Sequence, residues 1–195
     1  MPKPGHFLGG TPLGTQLLRQ IRAHLQRGGV IAYATESCYG LGCDPRNYRA
    51  VKRLLAIKAR PQSKGLILIA DDARRFSHIL APLDAGQQGT LAQYWPGPFT
   101  FLLPPTPRVP NCLTGHHPRI ALRVTAHPDA ARLCHALGMA LVSTSANRSG
   151  QRPAKTYAAC SKIFGGSVLV IRGKVGSRKG PSTIMDLISS KIVRQ

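Results

Sequence analysis

Residues 58–65, Lys58-Ala59-Arg60-Pro61-Gln62-Ser63-Lys64-Gly65, stand between a helical pattern and an apolar strand. Upstream, Val51, Leu54 and Leu55 fall at helical spacing over residues 49–58. Pro61 ends that helix, because it has no N–H to give and its ring clashes with the preceding turn. Downstream, Leu66-Ile67-Leu68-Ile69 is a short continuous apolar run, the pattern of a buried strand. Helix, cationic turn and strand in succession are the unit of an α/β chain.

Working outward, Leu17, Leu18, Ile21 and Leu25 predict a first helix that ends at Gly28-Gly29. Residues 30–33 predict a strand running into a loop, Thr35-Glu36-Ser37-Cys38-Tyr39-Gly40-Leu41-Gly42. Further helices are expected over residues 83–94, 128–137 and 156–164, with Pro128 suited to a first turn. Further strands are expected at 99–103, 120–124, 141–142, 168–171, 183–187 and 192–193, and the proline-rich stretch 104–118 predicts a long surface loop. The strands cluster late in the chain, so the expectation is a twisted mixed sheet with helices packed on it, not a clean parallel βαβ series.

The chain has 195 residues, 43% of them hydrophobic, which suits one globular domain. No run of 18 apolar residues offers a membrane span. Residues 1–14 are expected as a loose arm and 15–195 as the domain. The five cysteines are irregularly spaced, which predicts reduced thiols and a cytoplasmic setting. Cys112, His116 and His117 have no second ligand pair, so no metal site is expected. Charge is the outlier: 27 Lys plus Arg against 7 Asp plus Glu gives a formal +20. Such an excess points to a polyanionic partner, a nucleotide or nucleic acid.

The usual phosphate-binding glycine loops are missing, so side chains would have to carry the phosphates. Lys58, Arg60 and Lys64 could converge on one anion, or could be a solvated helix end. Ser143-Thr144-Ser145-Ala146-Asn147 follows a buried strand; it suits either a polar capping turn or substrate recognition. Arg123, inside the apolar run Ala121-Leu122-Arg123-Val124, is either on a solvated face or holding an anion. Glu36 is either a helix cap or an orienting partner for a cation, and the second reading is favoured. With so few acids, magnesium would arrive mainly on nucleotide phosphates.

Six segments, in order over residues 15–190, resemble the YrdC-like family of threonylcarbamoyl-AMP synthases, in particular the short bacterial type. They are Tyr33-Ala34-Thr35-Glu36-Ser37-Cys38-Tyr39-Gly40-Leu41; Lys58-x-Arg60-Pro61-x-x-Lys64-Gly65-Leu66; Trp95-Pro96-Gly97-Pro98-x-Thr100; Leu122-Arg123-Val124-Thr125-x-His127-Pro128; Ser143-Thr144-Ser145-Ala146-Asn147; and Pro181-Ser182-Thr183-Ile184. The resemblance implies a single α/β domain around a large electropositive cavity. It implies synthesis of L-threonylcarbamoyl-AMP and diphosphate from L-threonine, bicarbonate and ATP, for threonylcarbamoyladenosine modification of tRNA beside the anticodon. Lys58, Arg60, Ser145 and Asn147 would be the catalytic tetrad, and with Lys64 they would line the ATP side. Thr35, Arg123, Thr144 and Ser182 would contact threonine, with Arg123 on its carboxylate. The tetrad is intact here, which favours the synthases over the YciO-type branch. Ala34 stands where a proline is common, and the 172–180 loop is more basic than in many relatives. Implied partners are tRNA, bound weakly, and the transferase proteins that use the product. The rival readings are an RNA-binding module without catalysis and an acyl-phosphate hydrolase.

Overall fold

A computed structural model describes residues 13–194 of the chain. The helices are α1 (Thr15–Gln26), α2 (Tyr48–Lys58), α3 (Ala85–Tyr94), α4 (Asn111–Thr114), α5 (Pro128–Leu137) and α6 (Tyr157–Phe164). The strands are β1 (Ile31–Ala34), β2 (Tyr39–Gly42), β3 (Ile67–Ala70), β4 (Phe99–Leu103), β5 (Ile120–Val124), β6 (Leu141–Ser145), β7 (Leu169–Val170), β8 (Thr183–Asp186) and β9 (Ile192–Arg194). Except for Leu13 and Gly14, the arm expected over residues 1–14 lies outside the described residues.

The strands form one nine-stranded sheet in the order β7-β1-β2-β6-β3-β5-β4-β8-β9. β1/β7, β3/β5 and β4/β8 run parallel, and the remaining neighbours run antiparallel, so the sheet is mixed as expected. Side chains alternate across it, as the two-residue period of a strand requires. Val30, Ala32, Leu68, Val142 and Leu122 meet Val51 and Leu54 of α2 and Phe164 of α6 on one face. Ile31, Tyr33, Ile69 and Leu141 meet Ile21 and Leu25 of α1 and Leu133 of α5 on the other.

Three expectations are corrected. Residues 39–42, read as loop, are the strand β2, whose Tyr39 and Leu41 are fully buried. The glycines that suggested a loop instead allow close backbone approach: a Cβ on Gly42 would lie 2.5 Å from the carbonyl of Val142. Residues 104–118 are not all surface loop, for α4 buries Cys112, Leu113 and Thr114 against the core. Ser143, Thr144 and Ser145 belong to β6 itself, because they continue the ladder with β2 and β3 and so are not a turn after the strand.

Among the described residues all five cysteines are free and buried, and no three His, Cys, Asp or Glu side chains are grouped to hold a metal. No helix among them is long and apolar enough to cross a membrane.

Candidate active site

The cationic turn over residues 58–65 begins at the C-terminus of α2. Ala59 takes the left-handed conformation (φ 51°) and ends the helix, so the chain reverses directly after Lys58. Gly65 closes the turn at φ 59°, and a Cβ there would lie 2.7 Å from the carbonyl of Thr114. Only glycine meets both demands. The turn is seated on the end of α4, where the N–H of Leu66 donates to Leu113 O at 2.8 Å and that of His116 to Ser63 O at 3.1 Å. Arg60 braces it from within, donating from Nη2 to the carbonyls of Gly65 (2.9 Å) and Lys64 (3.2 Å).

Lys58 points the other way, into the protein. It is 4% exposed, and its ammonium donates to Ser145 O (2.6 Å), Asn147 Oδ1 (2.8 Å) and Asn147 O (3.1 Å), with Ser145 Oγ at 3.3 Å. An ammonium has three protons, so all are committed. Ser145 Oγ donates to Asn147 Oδ1 at 2.6 Å, and Asn147 Nδ2 donates to the carbonyls of Arg148 and Gln151 at 2.9 and 2.7 Å. Lys58 thus binds the end of β6 and the loop after it into one rigid unit. Burial, and next the Arg60 charge, pull the Lys58 ammonium down to about 8.

A second group forms around the turn between β1 and β2. Thr35 Oγ1 donates to Cys38 O at 2.7 Å, and a Cβ on Gly40 would crowd both Thr35 Cγ2 (3.2 Å) and Ser143 Oγ (3.4 Å). The next residue, Glu36, accepts from Thr125 Oγ1 at 2.7 Å through one carboxylate oxygen. Its other oxygen lies 3.3 Å from Arg123 Nη2. Arg123 is buried on β5 opposite Ile69, which answers the question left by its apolar strand: it is on no solvated face. The loop after β7 is fastened over this turn. Gly176 N donates to Thr35 O at 3.0 Å, Arg178 N to Glu36 O at 3.1 Å, and Tyr39 Oη to Gly173 O at 2.9 Å. A Cβ on Gly176 would lie 2.8 Å from Glu36 O, so the strap lies flat on that dipeptide.

Ser182, at the start of β8, is held by a residue that the sequence did not single out. Arg194 on β9 donates from Nη2 to Ser182 O (3.0 Å) and Ser182 Oγ (3.2 Å), while Thr100 Oγ1 donates to Ser182 Oγ at 2.9 Å. Burial, then the charges of Arg123 and Arg60, pull the Arg194 guanidinium below its ordinary value. The charges of Arg123 on β5 and Arg60 in the α2 turn thus reach Arg194 on β9. The only sequence signal for Arg194 was the end of an apolar run, Ile192-Val193-Arg194.

Lys64 is exposed and Thr144 half-buried on β6 opposite Leu41. The structure thus brings Lys58, Ser145 and Asn147 into one contact network and Thr35, Glu36 and Arg123 into a second, while Ser182 and Arg194 contact each other and the Arg123 charge reaches Arg194. The Thr35–Cys38 turn leads into β2, which meets the β6 loop where Ala146 N donates to Tyr39 O at 2.7 Å. A cleft of about 290 Å³ beside Arg46, Arg75 and Met139 and one of about 160 Å³ beside Leu17, Tyr33 and Arg172 lie elsewhere.

A family model described as "Telomere recombination", the Sua5/YciO/YrdC domain, matches residues 23–195. The chain belongs to the Sua5/YciO/YrdC family. A relative from Chromobacterium violaceum, named threonylcarbamoyl-AMP synthase, is 56% identical over 181 residues, covering 93% of this chain and 94% of its own. Among solved structures, E. coli YciO superposes with a TM-score of 0.80 at 28% identity, covering 92% of this chain and 89% of that one. P. abyssi Sua5 complexed with L-threonine superposes with a TM-score of 0.82 at 27% identity over 91% of this chain, which spans 53% of that longer one.

Proposed function

We propose that this protein is a threonylcarbamoyl-AMP synthase, converting L-threonine, bicarbonate and ATP to L-threonylcarbamoyl-AMP and diphosphate. The observation that carries the reading is the intact Lys58–Ser145–Asn147 network, set beside Arg60, in a chain 56% identical to a relative of that name. Threonine's amine adds to the bicarbonate carbon and the hydroxyl leaves as water, taking a proton from the nitrogen, to give a carbamate. The carbamate oxygen then attacks the α-phosphate of ATP, and diphosphate leaves. Neither step needs a covalent nucleophile on the protein. Both need charge neutralised and reactants aligned.

On this reading Lys58 supplies a fixed positive charge and holds the β6 loop in place, because its protons are already in use. Arg60, Lys64 and Arg194 face the phosphates. Thr35, Arg123, Thr144 and Ser182 take threonine. Ser145 and Asn147 line the ATP side through the loop they stiffen. The large electropositive cavity would lie between the two groups.

Magnesium would enter on the ATP phosphates, whose charge it partly neutralises. The chain's own acids do not suit a protein-built cage: Asp44, Asp71, Asp72, Asp129, Asp186 and Glu36 each pair with an arginine, and Asp84 caps α3. A cytoplasmic setting, delivery of the product to a tRNA threonylcarbamoyl-transferase and weak tRNA binding complete the proposal. The test is incubation with ATP, magnesium, bicarbonate and threonine, followed by mass detection of the product. Diphosphate release that depends on threonine supports the synthase. RNA binding without any such product would favour the rival RNA-binding module.

A further inference from the structure

We infer that Glu36 and Arg123 form a paired receptor for a zwitterion, in which Arg123 takes the carboxylate of the amino acid and Glu36 takes its amino group. The inference rests on reading this site as the threonine site. Its basis is a pair of buried atoms without hydrogen bonds. Glu36 Oε2 and Arg123 Nε are both buried and neither has a hydrogen-bond partner. The side chains carrying them are 14% and 9% exposed and face each other at 3.3 Å between Oε2 and Nη2. Buried polar atoms normally have at least one hydrogen-bond partner. An orphan on each half of an ion pair marks a place built for something else.

The surroundings hold the pair open. Glu36 is pinned through its other carboxylate oxygen by Thr125 Oγ1 and through its backbone carbonyl by Arg178 N. Thr125 is itself fixed, its N–H donating to Ala70 O and its Oγ1 accepting from His127 N. The carboxylate therefore cannot swing away to find a better partner for Oε2.

The sign of the neighbours gives the ligand class. Arg123 and Arg60 both act on Arg194, so this part of the site is cationic. A polyphosphate would gain nothing from a carboxylate among those cations, for the two would repel. A ligand with its own positive end would gain. An α-amino acid offers a carboxylate and an ammonium two bonds apart, and entering between the partners it replaces each charge with one of the same sign. No charge is left unpaired. The nitrogen keeps at least one N–H as ammonium, amine and carbamate, so the contact to Oε2 can last through carbamate formation.

The test compares threonine with its hydroxy-acid analogue, in which a hydroxyl replaces the amine, by calorimetry on the full chain. Wild-type protein should bind threonine at least about tenfold more tightly than the analogue, because only the ammonium pairs with Glu36. Glu36→Gln should weaken threonine by about that factor and bring the ratio close to one, with ATP binding kept as the measure of intact folding. Glu36→Asp, which keeps the charge on a shorter arm, should retain part of the preference. The inference is overturned if Glu36→Gln keeps the wild-type ratio, or if it weakens both ligands equally, since Glu36 would then only prop Arg123. Wild-type protein that binds ATP but neither compound would instead remove the threonine reading itself.

Discussion

Lys58 Nζ lies 2.8 Å from Asn147 Oδ1, although 89 positions separate the two residues in the chain. The contact joins the end of a helix to the loop beyond a central strand, and it uses a charge to do so. Lys58 is therefore both a structural tie and the charge nearest Ser145. Lys58→Ala strips the donor from three oxygens at once, Ser145 O, Asn147 O and Asn147 Oδ1. We expect product formation to fall by the equivalent of about 2–4 kcal/mol, as for loss of one preorganised donor. Unfolding stability should fall too, by about 1–3 kcal/mol. Turnover and denaturation midpoint both near wild type would remove Lys58 from the site.

The Lys58 ammonium also sets a pH dependence. Its value is pulled down to about 8, against an ordinary 10.5. The Lys58 charge is thus full well below pH 8, half lost at about 8 and gone well above it. The kcat/KM for ATP, which reports the free enzyme, should fall on the alkaline side with a midpoint near 8. Bound phosphates hold the proton, so the limb in kcat should lie at higher pH. Stability runs the other way. Between pH 8 and 10.5 the unfolded chain keeps a proton that the folded chain has lost, so this group's contribution to stability rises with pH. An ATP kcat/KM that stayed flat from pH 7 to 10 would contradict this account.

Much of the fold was legible because helices α2 and α5 and strands β3, β4 and β5 carry clean apolar periods with proline or glycine at their ends. What was not legible has a common cause. Tyr39–Gly42 and Ser143–Ser145 are strands in which glycines permit close backbone approach and hydroxyls replace apolar side chains, so composition there imitates a loop. The site followed the same rule. Lys58, Ser145 and Asn147 belong to recognisable segments, whereas Arg194 reaches Ser182 only through sheet order, since β9 is carried there by its pairing with β8.

Arg123→Leu separates the two substrates. It removes the cation proposed for threonine's carboxylate and leaves Glu36 buried without its partner. Threonine binding should weaken by roughly a hundredfold, about 2.8 kcal/mol, while ATP binding changes little. Calorimetry that showed ATP binding lost and threonine binding kept would move Arg123 to the phosphates.

Arg194→Gln tests the residue that only the folded chain reveals. Burial, then the charges of Arg123 and Arg60, lower the Arg194 guanidinium below its ordinary value, so in the proposed role a bound anion would offset that repulsion. The ATP dissociation constant should rise about tenfold, or about 1.4 kcal/mol. The thermal shift on adding ATP should shrink in proportion. An unchanged ATP affinity would leave Arg194 as a mere clamp on Ser182.

The last prediction concerns charge that synthesis does not need. The structure sorts the remaining cations. Arg46, Arg74 and Arg75 are paired with Asp44, Asp72 and Asp71, Arg172 stacks on Tyr157, and Arg178 braces Pro181 and Thr183. Arg19, Arg27, Arg148, Arg152 and Lys179 are exposed and belong to none of the ion pairs among the described residues. Arg148 and Arg152 follow directly on Asn147, so a polyanion held there would lie next to the tetrad. We expect weak, sequence-independent tRNA binding that falls steeply with salt, because each phosphate contact releases condensed counterions. Changing Arg148 and Arg152 together to Gln should reduce the slope of log affinity against log salt by roughly one to two units. The backbone carbonyls that receive Asn147 Nδ2 are unaffected by these changes, so threonylcarbamoyl-AMP formation should persist. Binding indifferent to salt, or none at low salt, would leave these arginines without a nucleic-acid role and the enzyme reading untouched.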